Sequence, residues 1–476
     1  MLISFQGRSA VVLPKILGHN MVLQQGQPVP VWGKAAPGEK VTVNFAGQVL
    51  VGTADAAGNW QVHLSPLKVS ARPAVMTVSG TNTIRLENIL VGEVWFCSGQ
   101  SNMEYTMRKN SKVTPKPSVD GQNPVDELDY AHNPWIRIFL VNRKEVVKPD
   151  LSHQGWSIAQ DSALRSFSAA GYFFAKELNR RLRVPVGMIS SAVPGIDIEP
   201  WLPGTLALSK DEKGNVVPAG YDLAKPGKFY PNMVTPVAPF ALKGFLWYQG
   251  ETNCFQNETI EYTYKMQELV NGWRKLWENT ALPFYYVQIA PFYYAKSAGK
   301  YPLTTETLPR FWEAQSLAAS IRNTAMATIT DLIDSPEDLH PGYKWEVGRR
   351  LALLALHHTY GLKIRSSGPV YVDMKKQKGK ISLEFTETGA GLTSNDGKTL
   401  RGFTIAGADG KFVPADARIN GNKVIVSAPS VPVPVSVRFG WDEAGKFNFF
   451  NKDGLPAVPF RTDNPFLGLF RTTAKK

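Results

Sequence analysis

The chain has 476 residues, of which 43% are hydrophobic and 20% are charged, so it is globular and long enough for two or three domains. The formal net charge is +13, but no long Lys/Arg run and no basic recognition helix occurs, which disfavours a nucleic-acid partner. No window approaches the roughly 18 unbroken apolar residues of a membrane span.

Residues 1–90 have the pattern of an N-terminal β-sandwich module. Short alternating segments at 28–33, 41–45 and 57–62 are separated by Pro and Gly, a spacing typical of sandwiches. We interpret this module as one that packs against the domain that follows it. The segment 1–10 is too short and too polar for a complete signal peptide.

The stretch 94–97, Val-Trp-Phe-Cys, predicts a strand that is buried on both faces. Ser98 and Gly99 end it, and the run 102–108 can start a helix. Ser101 therefore lies at a strand-to-helix turn. There its hydroxyl is exposed, and its N–H, at the positive end of the helix dipole, can stabilise an oxyanion. The alternative is an ordinary turn capped by serine.

Residues 91–362 alternate apolar strands with amphipathic helices, which predicts a parallel sheet in a flavodoxin-like three-layer α/β sandwich. The predicted strands are 93–97, 186–190, 244–248, 284–290 and 326–330. The predicted helices are 168–182, 261–277 and 309–321. In such folds the ligand binds at the carboxyl ends of the strands.

Residues 363–476 return to a β pattern and predict a C-terminal β-rich module, with alternation at 380–385 and a strand at 435–439. The chain has two cysteines, Cys97 and Cys254, too few for a disulfide scaffold. No histidine pair accompanies them, so we expect two buried free thiols, with no bridge between them and no zinc site.

Four sequence blocks at these strand ends carry a resemblance to a known family. They are Gly-Gln-Ser-Asn-Met at 99–103, Gly-Ile-Asp-Ile-Glu-Pro-Trp at 195–201, Trp-Tyr-Gln-Gly-Glu-Thr-Asn at 247–253 and Asp-Leu-His-Pro at 338–341. In this order they resemble the SGNH hydrolases, specifically the sialate O-acetylesterase-like carbohydrate esterases. The resemblance extends from residue 21 to residue 463. It implies an SGNH-type central domain between the two β modules.

Ester hydrolysis by a serine requires a nucleophile, a base and donors for the oxyanion. Ser101 is the candidate nucleophile, although no Gly-x-Ser-x-Gly elbow surrounds it. Of the seven histidines, His340 alone lies in an acidic loop that follows an apolar strand and precedes a helix. That loop belongs to the same sheet edge as Ser101, so His340 is the candidate base.

Two acidic residues are candidates for orienting His340. The general SGNH pattern places an aspartate three residues before the histidine, where this chain has Glu337. The closer carbohydrate esterases resemble Asp-x-His, which matches Asp338. We favour Asp338, with Glu337 as the alternative, and a Ser–His dyad or a helix-capping role for one acid stays open.

The resemblance implies three oxyanion donors: the N–H of Ser101, the N–H of Gly195 and the side-chain amide of Asn253. Relatives usually have Trp-Gly-Gly before the second position, whereas this chain has Val-Pro-Gly at 193–195. An N-cap to the following helix is the alternative role for Asn253. The blocks also contain Gln100, Gln249 and Glu251, which we expect to support the site.

These features predict a serine esterase that removes O-acetyl groups from carbohydrates without a metal or another cofactor. The resemblance implies an acetylated sugar such as an O-acetylated sialic acid as substrate, and a periplasmic or secreted location with the signal peptide removed. One alternative is an acetyl esterase acting on xylan- or xyloglucan-type oligosaccharides. Another, from a different class, is an inactive carbohydrate-binding relative.

Overall fold

The N-terminal strands form two small sheets around a shared hydrophobic core. A computed structural model describes residues 10–114, 123–141 and 155–466 of the chain. The first strands are β1 (Val22–Gln24), β2 (Val29–Lys34), β3 (Lys40–Phe45), β4 (Gln48–Thr53), β5 (Asn59–Leu64), β6 (Ser70–Ser79) and β7 (Thr83–Gly99). One sheet joins β2 to β5, and the other joins β4, β3, β6 and β7. Every second residue of β5 is buried, as expected where one face of a sheet meets solvent.

Strand β7 is 17 residues long and belongs to both the N-terminal and the central sheet. Its first part pairs antiparallel with β6, whereas residues 89–99 are buried without interruption. Parallel neighbours and helices on both faces explain this continuous burial. The strand runs through the predicted boundary between residues 90 and 91, and a division of the chain there stays a prediction.

The central domain adds strands to β7. They are β8 (Ile136–Leu140), β9 (Ser157–Ile158), β10 (Val186–Ala192), β11 (Thr205–Lys210), β12 (Val216–Asp222), β13 (Gly244–Tyr248), β14 (Phe284–Val287) and β15 (Thr324–Ala327). The central sheet contains six parallel strands in the order β15-β14-β13-β7-β10-β8, with the short β9 antiparallel at the edge. The prediction of five strands was incomplete, because it missed β8. The hairpin of β11 and β12 forms a separate two-stranded sheet.

Helices cover both faces of the central sheet, which gives the predicted three layers. They are α1 (Ser101–Glu104), α2 (Met107–Asn110), α3 (Glu127–Tyr130), α4 (Asp161–Arg165), α5 (Ala169–Leu182), α6 (Glu251–Phe255), α7 (Ile260–Leu276), α8 (Thr307–Ala318) and α9 (Lys344–Leu354). Helices α5 and α9 pack on one face, and α7 and α8 pack on the other. A helix starts in the run 102–108 as predicted, but α1 is short because the chain leaves helical geometry at Tyr105 before α2 begins. None of the helices in the described ranges is long and apolar enough to cross a membrane.

The C-terminal part is a β module with its own hydrophobic core. Its strands are β16 (Val370–Gln377), β17 (Lys380–Thr386), β18 (Leu392–Ser394), β19 (Phe403–Ala406), β20 (Val413–Pro414), β21 (Asp416–Asn420), β22 (Lys423–Ser427), β23 (Ser436–Phe439), β24 (Phe449–Asn451) and β25 (Phe460–Arg461). They form two four-stranded antiparallel sheets and one two-stranded sheet. The Arg461 guanidinium donates to both oxygens of Glu313 on α8, at 2.8 and 2.7 Å, which links the module to the central domain.

Candidate active site

The turn after β7 is built so that the backbones of two strands touch. Gly99 has a φ of +139°, and a Cβ there would lie 2.1 Å from the carbonyl oxygen of Tyr248 at the end of β13. Only glycine can adopt this positive φ and also leave room for the neighbouring carbonyl. The next N–H, that of Gln100, donates to the same carbonyl at 3.0 Å. Ser101 is therefore held as the first residue of α1 at the carboxyl edge of the sheet.

The side chains of Ser101 and His340 are in hydrogen-bond contact. The Oγ of Ser101 lies 2.9 Å from the Nε2 of His340, across 239 residues of sequence. The histidine is on the loop between β15 and α9, so two distant βα loops meet above the central strands. The prediction that these two side chains share one sheet edge is confirmed, and the distance suits transfer of a proton from Oγ to Nε2.

Several groups act on the pKa of His340, and their net effect is to lower it. Burial has the largest effect, and the positive charge of Lys344 adds to it. The carboxylate of Asp338 acts in the opposite direction, and Lys109 on α2 lowers the pKa slightly further. These effects together favour the neutral imidazole, the form that can accept the serine proton.

Of the two acids near His340, Asp338 is the one that contacts it. Its Oδ1 accepts a hydrogen bond of 2.8 Å from the backbone N–H of His340. The same oxygen is 4.0 Å from Nδ1, beyond hydrogen-bond distance. The Glu337 side chain is 75% exposed, and its Oε1 is 3.9 Å from the Nζ of Lys296. Both orienting roles stay predictions, with Asp338 nearer to the imidazole.

Gly195 lies in the exposed loop that leaves β10, at the same edge of the sheet. Its φ is +68°, and a Cβ would meet nothing within 4 Å. Glycine is favoured here by the left-handed backbone conformation, whereas a larger side chain would have enough space. The Val-Pro-Gly sequence at 193–195 thus keeps the glycine in a left-handed turn despite its departure from the Trp-Gly-Gly pattern.

The Asn253 amide lies in α6 and is completely buried. Its Oδ1 accepts from the N–H of Ile198 at 3.0 Å and from the Gln249 side chain at 2.7 Å. Its Nδ2 donates to Glu199 at 3.2 Å and to Glu258 at 3.1 Å. Each amide hydrogen thus has an acceptor, and the oxyanion role of Asn253 stays a prediction. The alternative role as a cap of α7 is wrong, because Thr259 occupies the N-cap position.

A charge cluster surrounds this amide, and within it Lys265 and Glu258 are mostly buried. The ammonium of Lys265 pairs with Glu199 and, at 2.5 Å, with Glu258. Burial raises the pKa of Glu258 to about 7, against the opposing effect of Lys265. Asp197, on the loop after Gly195, accepts from Gln256 at 3.0 Å, and burial raises its pKa. The cluster fixes the loop of the second block to helices α6 and α7.

The predicted supporting residues connect the blocks to one another. The Gln100 Oε1 accepts hydrogen bonds from the Gln249 side chain at 3.1 Å and from the N–H groups of Gly250 and Thr252 at 3.3 Å each. Glu251 accepts from Asn102 at 2.5 Å. Gln100, Gln249 and Glu251 are all buried. Their partners are protein groups, which agrees with a supporting role.

The two cysteines are free and buried, as predicted. Burial raises the pKa of the Cys97 thiol to about 12, so it stays protonated and unreactive at neutral pH. The pKa of Cys254 is also raised by burial.

Sequence reasoning missed two polar residues of the site, Asn102 and Lys344. Both are completely buried, and the Lys344 Nζ donates to the Asn102 Oδ1 at 2.7 Å. One feature of the sequence could have indicated Lys344. It is the first residue of α9, and a cation is disfavoured at the positive end of a helix. A lysine placed there needs another reason for its presence.

Comparisons with known proteins agree with this arrangement. Residues 91–357 match the family described as "Carbohydrate esterase, sialic acid-specific acetylesterase". A crystal structure described as a novel carbohydrate acetylesterase from Xanthomonas citri superposes with a TM-score of 0.81 at 34% identity, covering 96% of this chain and 100% of that one. The sialate O-acetylesterase of Pongo abelii is 28% identical over 93% of this chain and 91% of its own length. The mouse (Mus musculus) enzyme is 25% identical over 89% and 88%.

The family match covers the sheet, the serine turn and the histidine loop, since it begins within β7 and ends just after α9. The similarity to the Xanthomonas enzyme extends over both flanking β modules as well. The chain therefore belongs to the sialic acid-specific acetylesterase family of carbohydrate esterases and is a carboxylic ester hydrolase.

Proposed function

We propose that this esterase removes O-acetyl groups from sialic acids, with Ser101 as nucleophile and His340 as general acid–base. The observation that carries the proposal is the 2.9 Å contact between Oγ and Nε2, made by an imidazole whose pKa is lowered by burial and by Lys344. Oγ attacks the acetyl carbonyl carbon while its proton passes to Nε2.

The tetrahedral intermediate then collapses. The bond from the acetyl carbon to the sugar oxygen breaks, and the imidazolium of His340 gives its proton to that oxygen, which leaves as a hydroxyl. In the second half-reaction His340 takes a proton from water, and the resulting hydroxide attacks the acetyl carbon. Collapse releases acetate and restores Ser101 with its proton.

The N–H groups of Ser101 and Gly195 are the proposed oxyanion donors. Ser101 starts α1, so its N–H has no partner within the helix, and the left-handed Gly195 has no side chain to hinder a bound acetyl group. Asn253 is the proposed third donor. Because its amide hydrogens point to Glu199 and Glu258, it reaches an oxyanion only by exchanging one of those bonds.

Asp338 is the proposed orienting acid. Its bond to the backbone N–H of His340 fixes the shape of the loop, and its negative charge, 4.0 Å from Nδ1, stabilises the imidazolium that forms during the reaction. Glu337 is the alternative, and its exposed carboxylate lies near Lys296, with 3.9 Å between Oε1 and Nζ.

A substrate panel tests the function. Wild-type protein and Ser101→Ala are incubated with O-acetylated sialic acids and with acetylated xylo-oligosaccharides, and the acetate released is measured enzymatically. We expect Ser101-dependent release from the sialic acids. Release from the xylo-oligosaccharides alone would show that the substrates are acetylated plant polysaccharides. No release from either class would overturn the proposal.

We also propose that the enzyme acts outside the cytoplasm, in the periplasm or as a secreted protein. The support is its resemblance to the sialate O-acetylesterase-like family. Fractionation of cells that express the full gene, followed by immunoblotting of each fraction, tests the location.

A further inference from the structure

A lysine side chain lies completely buried behind the histidine loop. Lys344 is the first residue of α9, and its Nζ donates to the carbonyl oxygen of Pro341 at 2.6 Å and to the Oδ1 of Asn102 at 2.7 Å. The ammonium also lies 4.8 Å from the centre of the Tyr105 ring and 5.3 Å from that of Tyr248. Both rings offer the favourable geometry of a cation on an aromatic face.

Asn102 connects this lysine to the other half of the site. It directly follows Ser101, and its Nδ2 donates to the carbonyl oxygen of Leu339 at 3.0 Å and to the Oε1 of Glu251 at 2.5 Å. The carbonyls immediately before and after His340 are thus bound by Asn102 and Lys344, which bind each other. One buried network joins the serine helix to both sides of the histidine.

Burying an ammonium is costly, so its presence requires an explanation. Burial lowers the pKa of Lys344 to about 7. The negative charges of Glu251 and Asp338 oppose this effect, and the positive charge of Lys109 adds slightly to it. The carboxyl of Glu251 reaches the lysine only through Asn102, and burial raises its pKa too. An apolar side chain would avoid this cost but would supply neither hydrogen bonds nor charge.

We propose that Lys344 is a positioning residue for the reaction: it fixes the His340 loop against the serine helix, and its positive charge keeps the imidazole neutral before the attack. This inference rests on the proposed roles of Ser101 and His340. It adds to them a residue that touches neither substrate nor reacting atoms.

The charges around His340 support the second half of this role. Among the neighbouring charges, that of Lys344 has the largest effect on the pKa of His340, which it lowers. Asp338 raises the same pKa, and Lys109 lowers it. The pKa of His340 lies below its usual 6.5, and that of Lys344 lies near 7. Lys344 is therefore mostly charged over the pH range in which His340 takes up its proton.

Two substitutions separate the hydrogen bonds from the charge. Lys344→Gln removes the charge and keeps an N–H donor, whereas Lys344→Met removes both. We expect the acid limb of the kcat/KM profile to move up by about one pH unit in both variants. At the optimum we expect Lys344→Met to lose kcat further, because the loop carbonyl loses its donor. Lys176→Met is the control, since Lys176 also pairs with a buried carboxylate, that of Glu127, at 2.5 Å.

A second measurement makes the test independent of the substrate. Diisopropyl fluorophosphate phosphorylates an activated serine with loss of fluoride, and the pH dependence of this inactivation reports the protonation of His340. The acid limb should move in the same direction as for kcat/KM. An unchanged limb in Lys344→Gln, in protein that circular dichroism shows to be folded, would reduce Lys344 to a structural residue.

Failure of the proposed function gives a different result. If wild-type protein neither releases acetate nor reacts with the fluorophosphate at Ser101, then the Ser–His assignment itself fails. If wild-type protein reacts at Ser101 and the limb stays in place in both Lys344 variants, only the role of Lys344 is overturned.

Discussion

The carboxylate of Asp338 accepts a hydrogen bond from the backbone N–H of His340 and remains 4.0 Å from the Nδ1 of the same residue. The acid therefore fixes the loop directly and acts on the ring through its charge. An exposed charge contact of this kind is worth up to about 1 kcal/mol, far less than a buried hydrogen bond to Nδ1.

Asp338→Asn should lower kcat/KM by about fivefold, because it removes the charge next to the imidazolium while an amide oxygen can still accept from the backbone N–H. Glu337→Gln should cost less, since that side chain faces solvent and Lys296. Steady-state kinetics of both variants on one acetylated substrate decide between the acids. A larger loss in Glu337→Gln would reverse the assignment.

Ser101→Ala should abolish turnover and leave the fold intact, because it removes only the nucleophilic oxygen. Ser98→Ala is the matched control: Ser98 lies three residues earlier, and its Oγ is buried with no hydrogen-bond partner in the described part of the chain. That variant should keep its activity. Acetate release and circular dichroism check the pair, and activity in Ser101→Ala would exclude it as the nucleophile.

The pH profile should show an acid limb below pH 6.5, since burial and Lys344 lower the pKa of His340 from that value. The base must be neutral to accept the serine proton, so kcat/KM rises as His340 loses its proton and then levels off. Asp338→Asn removes a group that raises this pKa, so its limb should move to lower pH. A limb that moves upward in this variant would contradict the electrostatic account.

Asn253→Ala tests the third oxyanion donor. If the amide stabilises the oxyanion, kcat should fall by about 10²–10³-fold with little change in KM. Because the amide also holds Glu199, Glu258 and the N–H of Ile198, we expect the melting temperature to fall as well. A fall in melting temperature with wild-type kcat would limit Asn253 to a structural role.

Gly99→Ala should destabilise the protein by at least about 3 kcal/mol, because the new Cβ would lie 2.1 Å from a backbone oxygen at a φ of +139°. Gly397→Ala is the control, with a φ of +68° and no atom within 4 Å of the added Cβ. Denaturant unfolding of both variants gives the comparison. Equal stability of the two would show that the contact between β7 and β13 relaxes easily.

The sequence predicted the strands that carry the site better than the connections between them. Val-Trp-Phe-Cys at 94–97 and the apolar run of β13 are buried on both faces, so local composition was sufficient to identify them. Strand β8 was missed because Arg137 interrupts its apolar run. The structure buries this arginine and bonds its Nε to the carbonyl oxygen of Pro134 at 2.6 Å, an environment that tertiary packing creates.

The site shows the same limit. Ser101 and His340 were predictable because each follows a strand of one parallel sheet, and such strand ends share an edge. Lys344 was not, because a lysine is usually exposed, and its burial depends on Asn102, Tyr105 and Tyr248, which tertiary folding brings around it. Asn253 is a similar case. Its amide donates to Glu258, which pairs with Lys265, and no local sequence pattern indicates that these side chains meet.

The continuity of β7 connects the first module to the turn that carries Ser101, the proposed nucleophile. Strand β1 pairs residue by residue with 90–92, immediately before β7 enters the central sheet. From Glu93 onward the register of β7 is set by β10 and β13, and this register brings Ser101 to the carboxyl edge of the sheet. The short strand Val22–Gln24 therefore anchors β7 to the first module at the last residues before the central sheet begins.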